Sequence, residues 1–152
     1  MRVTEAARDI RSQSVSVVVA GQAWGIPIAA VREVLGPQAI TPVPLAPPAV
    51  AGSLNLRGRI VTVLDLRTAL GLPPTAVPER ATEVVVEQEG NLYSLLIDEI
   101  GDAMDLAAGT VEAPPQTMDS RWRGLATGIV KLDGRLLLLL DLDRLLGAVG
   151  TA

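Results

Sequence analysis

The sequence contains no histidine and no cysteine. That removes the imidazole base, the thiolate nucleophile, disulfide cross-links and the nitrogen and sulfur ligands that most zinc sites use. Phenylalanine is also absent, lysine occurs once, at Lys131, and two Trp and one Tyr make up the whole aromatic complement. A Ser–Lys dyad and a carboxylate-only metal site are the catalytic options left, and both are poor fits to what remains. The reading is therefore of a non-enzyme that needs no cofactor. A net charge of −4 with so few stacking aromatics argues against a nucleic-acid groove, which needs a basic track. Long apolar runs are missing too. Leu136–Leu140 is the longest, against the roughly 20 residues of a membrane-spanning helix. Residues 1–14 lack the apolar stretch of a secretory signal, so a cytoplasmic protein without membrane insertion is expected.

What is present reads as short strands punctuated by glycine and proline. The β-branched run Val15–Ala20 ends at Gly21 and is followed by Trp24-Gly25-Ile26-Pro27-Ile28, the pattern of a hairpin. Ala29–Leu35 places Val31, Val34 and Leu35 at helical spacing before Gly36-Pro37, which predicts one short amphipathic helix. Pro42–Pro48 must run without helix, because proline fixes φ and lacks a donor. An apolar segment to Leu56, a turn at Arg57-Gly58 and Ile60–Leu64 predict a second hairpin. Asp65 then stands where it can cap a helix ended by Gly71. Strands are expected again at Glu83–Glu87 and Leu92–Ile97, around a Glu89-Gly90-Asn91 turn.

The grammar repeats. Gly58–Gly71 laid on Gly134–Gly147 without a gap matches at seven of fourteen positions, including Gly58/Gly134, Asp65/Asp141 and Gly71/Gly147. Upstream, Trp24–Val31 resembles Tyr93–Ile100, and Val50-Ala51-Gly52 resembles Trp122-Arg123-Gly124. The fold class is thus all-β, as paired small barrels joined by short helices. The first is expected over about 14–78 and the second over about 79–150, after a mobile segment 1–13.

The string Gly52-Ser53-Leu54-Asn55-Leu56-Arg57-Gly58, followed by Ile60–Arg67, resembles the CheW family signature, roughly G-x-x-N-L-R-G and then a strand ending D-L-R. Val31-Arg32-Glu33-Val34 is similar to the family's V-x-E-I helix, Leu96–Ile100 to its second-half V-D-x-V, and Leu140-Asp141-Leu142-Asp143 to its closing strand and helix. Four motifs in order cover about Val15 to Leu146. The resemblance implies two five-stranded SH3-like barrels around a shared core and a non-catalytic adaptor. The implied partners are a CheA-type histidine kinase, held by one barrel, and the cytoplasmic tip of methyl-accepting chemotaxis-type receptors, held in the groove between barrels. A twitching-motility or other non-flagellar array is the alternative within the class. A small-ligand-binding double barrel is the alternative outside it. The sequence departs from the family pattern at Ser53, Gly101 and Ala103, where larger aliphatic residues are usual.

The residues carried over as partner-binding are Val31, Glu33, Val34, Gly52, Asn55, Arg57 and Ala103. Each has a plainer reading beside it. Val31 and Val34 fit a core face. Glu33 fits a solvated carboxylate at its rim, and Arg57 fits a turn arginine of small energetic value. Asp65 and Asp141 are better explained as duplicated helix caps than as paired acid and base. Trp24 and Tyr93 are better explained as barrel packing than as stacking platforms.

Overall fold

The structure, a computed structural model, describes residues 13–106 and 111–150. Eleven strands form within them: β1 (Gln13–Val19), β2 (Gln22–Pro27), β3 (Val31–Leu35), β4 (Val50–Leu56), β5 (Arg59–Asp65), β6 (Thr82–Gln88), β7 (Asn91–Ile97), β8 (Glu99–Asp105), β9 (Val111–Glu112), β10 (Ala126–Leu132) and β11 (Arg135–Leu140). The expected hairpins at both ends of the repeat are present, and so are the aspartate caps. Asp65 accepts from the Arg67 amide at 3.1 Å to start the helix Leu66–Ala69, and Asp141 accepts from the Arg144 amide at 3.1 Å to start Leu142–Val149. The expectation of mobility for 1–13 lies outside the described residues, except that Gln13 opens β1. Among the described residues no helix is long and apolar enough to cross a membrane.

The strands form two sheets, a six-stranded one in the order β8-β1-β2-β11-β10-β9 and a five-stranded one in the order β3-β6-β7-β5-β4. These sheets do not follow the expected division at 78/79. The six-stranded sheet takes β1 and β2 from the first half, and the five-stranded sheet takes β6 and β7 from the second. Each half gives its leading hairpin to the other's sheet. The registers show that the two exchanges are equivalent: Trp24 lies opposite Leu138 in the parallel pair β2/β11, and Tyr93 lies opposite Thr62 in the parallel pair β7/β5. A parallel partner has to come from a distant stretch of chain, so local turn signals cannot announce it. The same registers move one sequence match. Gly52 corresponds to Gly128, each at a bulge facing Val63 and Leu139, and not to Gly124.

Each sheet has buried residues on both faces, although the outer strands β8 and β9 of the six-stranded sheet are largely exposed. Between the sheets lies the main core, where Val17, Ile26, Leu64, Val84, Leu95, Leu138 and Leu145 are fully or almost fully buried. Each such side chain contributes about 2 kcal/mol through the apolar surface it removes from water. On its other face the five-stranded sheet has a small core of Leu54, Val61, Val63, Val85, Leu92 and Leu96, and the six-stranded sheet has one of Ala23, Leu106, Val130 and Leu137.

The helix expected over Ala29–Leu35 does not form. Ile28–Ala30 makes a single 3-10 turn, and Val31–Leu35 is β3, an edge strand paired antiparallel with β6. Seven residues are too few for the helical period to prevail. The β-branched Val31 and Val34 fit a pleated surface, and a neighbouring strand with open hydrogen-bonding groups decides the outcome.

Candidate partner-binding site

The site is built on β3 and on the tip of the β4–β5 hairpin. Arg57 and Gly58 both take positive φ, 50° and 87°, which makes the two-residue reversed turn whose twist suits a hairpin. Asn55 Oδ1 accepts from the Gly58 amide at 2.9 Å and closes that turn from within. Held in this way, the Arg57 guanidinium reaches across to β3, where its Nη2 donates to Glu33 Oε1. Arg57 stays largely exposed, at 71%, while Glu33 is at 30%, so the pair is a surface contact worth no more than about 1 kcal/mol to the fold.

Beneath that ion pair lies a cavity of about 430 Å³. Its floor is the open end of the small core, Leu56, Val85 and Leu92. Its rim is charged, with the Arg57–Glu33 pair, the Arg32–Glu87 pair and Arg59. Arg32 Nε donates to Glu87 Oε1 at 2.9 Å and Arg32 Nη1 to the Ala29 carbonyl at 3.0 Å, which ties β3 to β6 through side chains as well as backbone. Glu87 also lines a depression of about 420 Å³ between the two sheets, together with Ala29, Ala30, Gln88, Leu140 and Asp143. One carboxylate therefore borders both concavities.

Behind the cavity, two residues further back along β6, lies Glu83, with no exposed surface. Ser94 Oγ donates to its Oε1 at 2.5 Å, and its Oε2 is buried with no partner among the described residues. Burial raises this carboxyl's pKa above the ordinary value, against the smaller lowering effect of the Ser94 hydrogen bond. Among the described residues, no group of three or more acidic side chains is placed to hold a metal ion.

Of the seven carried-over residues, the structure brings Glu33, Asn55 and Arg57 together. Val31 is on the same strand, partly buried against the main core, and Val34 is 46% exposed, so neither lies on a helix face. Gly52 is buried away from the cavity. A Cβ there would stand 2.4 Å from the Thr41 carbonyl oxygen at φ 155°, so this glycine lets the Pro-rich loop lie against β4. Thr41 and Ser53 exchange two backbone hydrogen bonds of 2.8 Å at that point. Ala103 is in β8 of the other sheet, opposite Val15, and lines a separate cavity of about 820 Å³ with Ile100, Asp102 and Arg135. Leu56 and Arg59 were missed although they flank the motif arginine. Arg32, Val85, Glu87 and Leu92 carry no signal until the β3–β6–β7 register is known.

Comparison with known proteins fits this geometry. The family model described as CheW-like domain matches residues 13–150. A "Chemotaxis protein CheW" of Rhizobium meliloti (strain 1021) is 30% identical over 125 residues, 82% of this chain and 81% of the relative. Another of the same name, from Treponema pallidum (strain Nichols), is 28% identical over 149 residues, 95% of this chain and 87% of the relative. The crystal structure of the scaffolding protein TtCheW from Thermoanaerobacter tengcongensis superposes with a TM-score of 0.75 at 26% identity, covering 86% of this chain and 89% of that one. A family model spanning both sheets, and relatives aligned over most of their own length, show that this chain belongs to the CheW-like domain family.

Proposed function

We propose that this protein is a non-catalytic scaffold that couples chemotaxis-type receptors to a CheA-type histidine kinase. The observation that supports this reading best is the Glu33–Arg57 ion pair. It unites the V-x-E and N-L-R-G segments, 24 residues apart, at the mouth of an apolar-floored cavity on an edge strand. A charged rim around an apolar floor suits a protein partner: the floor supplies buried area and the rim charges set orientation and encounter rate. In this reading the Arg57 face takes the kinase. The neighbouring depression between the sheets, bordered by Glu87 and Gln88, takes the receptor's helical hairpin. The test is co-sedimentation of the purified protein with a CheA-type kinase and a receptor cytoplasmic hairpin. Ternary assembly that is lost in Arg57→Gly, while each protein remains folded, supports the proposal. No binding to either partner by the wild-type chain refutes it.

A further inference from the structure

The five-stranded sheet holds an acid where the six-stranded sheet has none. Leu35 of β3, Glu83 of β6, Leu96 of β7 and Asp65 of β5 form one cross-strand row. In the other sheet the positions equivalent to Glu83 and Ser94 are Ser14 and Gly25, by the registers that match Val86/Tyr93 to Val17/Trp24. A Cβ on Gly25 would meet Ser14 Cβ at 3.2 Å and Leu139 Cδ2 at 3.2 Å, so the space between these two positions is closed without an ionisable group at either. The fold has no need of a carboxyl here, yet one copy carries it.

We propose that Glu83 is a proton-controlled latch for the edge strand β3, which is fully docked while the acid is neutral and loosened when it ionises. Three observations carry this. First, Glu83 shares the small-core face of β6 with Val85, and the only hydrogen-bond partner of its carboxyl among the described residues is Ser94. A charge there would be desolvated with no cation to meet it. Second, every charged group on that face is engaged elsewhere. Glu33 of β3 holds Arg57, Glu87 of β6 holds Arg32, and Arg59 of β5 donates to the Gly90 carbonyl at 3.3 Å. Asp65, two strands along the row, accepts from the Arg67 amide and from the Thr75 amide and hydroxyl. Facing residues of β4 and β7 are uncharged, and Glu79 and Arg80 of the turn before β6 are exposed. Third, among the described residues β3 has β6 as its sole strand neighbour, through a ladder that begins at a bulge and ends at the Leu35/Glu83 pair.

The direction follows from burial. The folded state keeps the proton to higher pH than the unfolded chain does. The stabilisation is complete below the ordinary carboxylate value and is lost as pH rises through the raised folded-state value. That β3 carries the partner face rests on the function proposed above; the latch itself does not.

The test combines denaturant unfolding with native-state hydrogen exchange between pH 5 and 8.5, on the wild type, Glu83→Gln and Ser94→Ala. The expected wild-type folding constant falls by up to tenfold per pH unit relative to Glu83→Gln. Protection at β3 amides is lost ahead of that in β1, β2 and β11. Removing the Ser94 hydroxyl raises the folded-state value further and extends the fall to higher pH. Parallel pH curves for wild type and Glu83→Gln overturn the proposal, as does simultaneous loss of protection in both sheets. If Glu83→Gln does not fold, a carbon-13 titration of the wild-type Glu83 carboxyl decides, and an ordinary carboxylate midpoint overturns it. Loss of β3 protection with kinase affinity unmoved by pH leaves the latch standing and refutes the partner face.

Discussion

The two hairpin tips show what duplication kept and what it let go. In the five-stranded sheet the tip reads Asn55-Leu56-Arg57-Gly58-Arg59. Its counterpart in the six-stranded sheet reads Lys131-Leu132-Asp133-Gly134-Arg135, with Gly58 and Gly134 both at positive φ. Arg57 is itself at positive φ whereas Asp133 is not, so the two turns share only their glycine, and the charge at the centre is reversed. Across from Arg57 stands Glu33, whereas the position equivalent to Glu33 on β8 is Asp102, which cannot pair with Asp133. Glycines, capping aspartates and core positions persisted because the fold depends on them. The rim charges diverged, so one sheet has an ion-paired site and the other an acidic cavity wall.

The comparison can be broken most severely at the bulge glycines. Gly52→Ala sets a Cβ against the backbone of Thr41 at a φ that disfavours any side chain, and about 3 kcal/mol of stability should be lost. Gly128→Ala meets Val111 Cγ1 at 2.6 Å and the Glu112 carbonyl oxygen at 3.0 Å, both on the two-residue edge strand β9, which can shift outward, so a smaller loss of about 1–2 kcal/mol is expected. Urea midpoints of the two variants measure the difference, and equal losses would mean that the bulges are interchangeable.

Next come the caps. Asp65 is 4% exposed and ties down the loop at Thr75 as well as its helix, so Asp65→Ala should cost about 2 kcal/mol or more. Asp141 caps a helix and pairs at 3.5 Å with Arg144, and Asp141→Ala should cost about 1 kcal/mol in thermal unfolding.

The tips sharpen the comparison at smaller energies. Arg57→Gly relieves a non-glycine residue of φ 50° while deleting an exposed ion pair, so denaturation should show stability unchanged or raised by up to about 1 kcal/mol. Kinase co-sedimentation by the same variant should be lost. Smallest of all, Glu33→Ala should move stability by no more than about 0.5 kcal/mol while weakening kinase binding, chiefly through faster dissociation in surface-plasmon measurements.

Local chemistry was legible in the sequence. Asp65 and Asp141 read as caps, Arg57-Gly58 read as a turn, and the Gly58–Gly71 match exposed the duplication, because each depends on neighbours within a few residues. The exchange of hairpins was hidden. Trp24 meets Leu138 across 114 residues, and neither residue type names its partner. Val31–Leu35 was misread because an apolar stretch that short satisfies both periods until β6 supplies its ladder. For the site, Glu33 and Arg57 stood out as motif residues, but their meeting depends on the same hidden pairing. Ala103 was carried over with them and yet sits in the other sheet.

The exchange of leading hairpins also sets a timetable for the chain as it is made. The five-stranded sheet has all its strands once Ile97 has emerged, but β2 must wait for β11, which ends at Leu140. At ordinary translation speeds that delay is on the order of ten seconds. Throughout it the β-branched hairpin Gln13–Pro27 is synthesised but one edge of β2 has no neighbour. An unpaired strand edge is a template for another chain, and neighbouring ribosomes on one message would hold two such hairpins close together. The β11 of one nascent chain would serve the β2 of the next as well as its own, so crowded synthesis favours interlocked dimers made by the same pairing that completes the monomer.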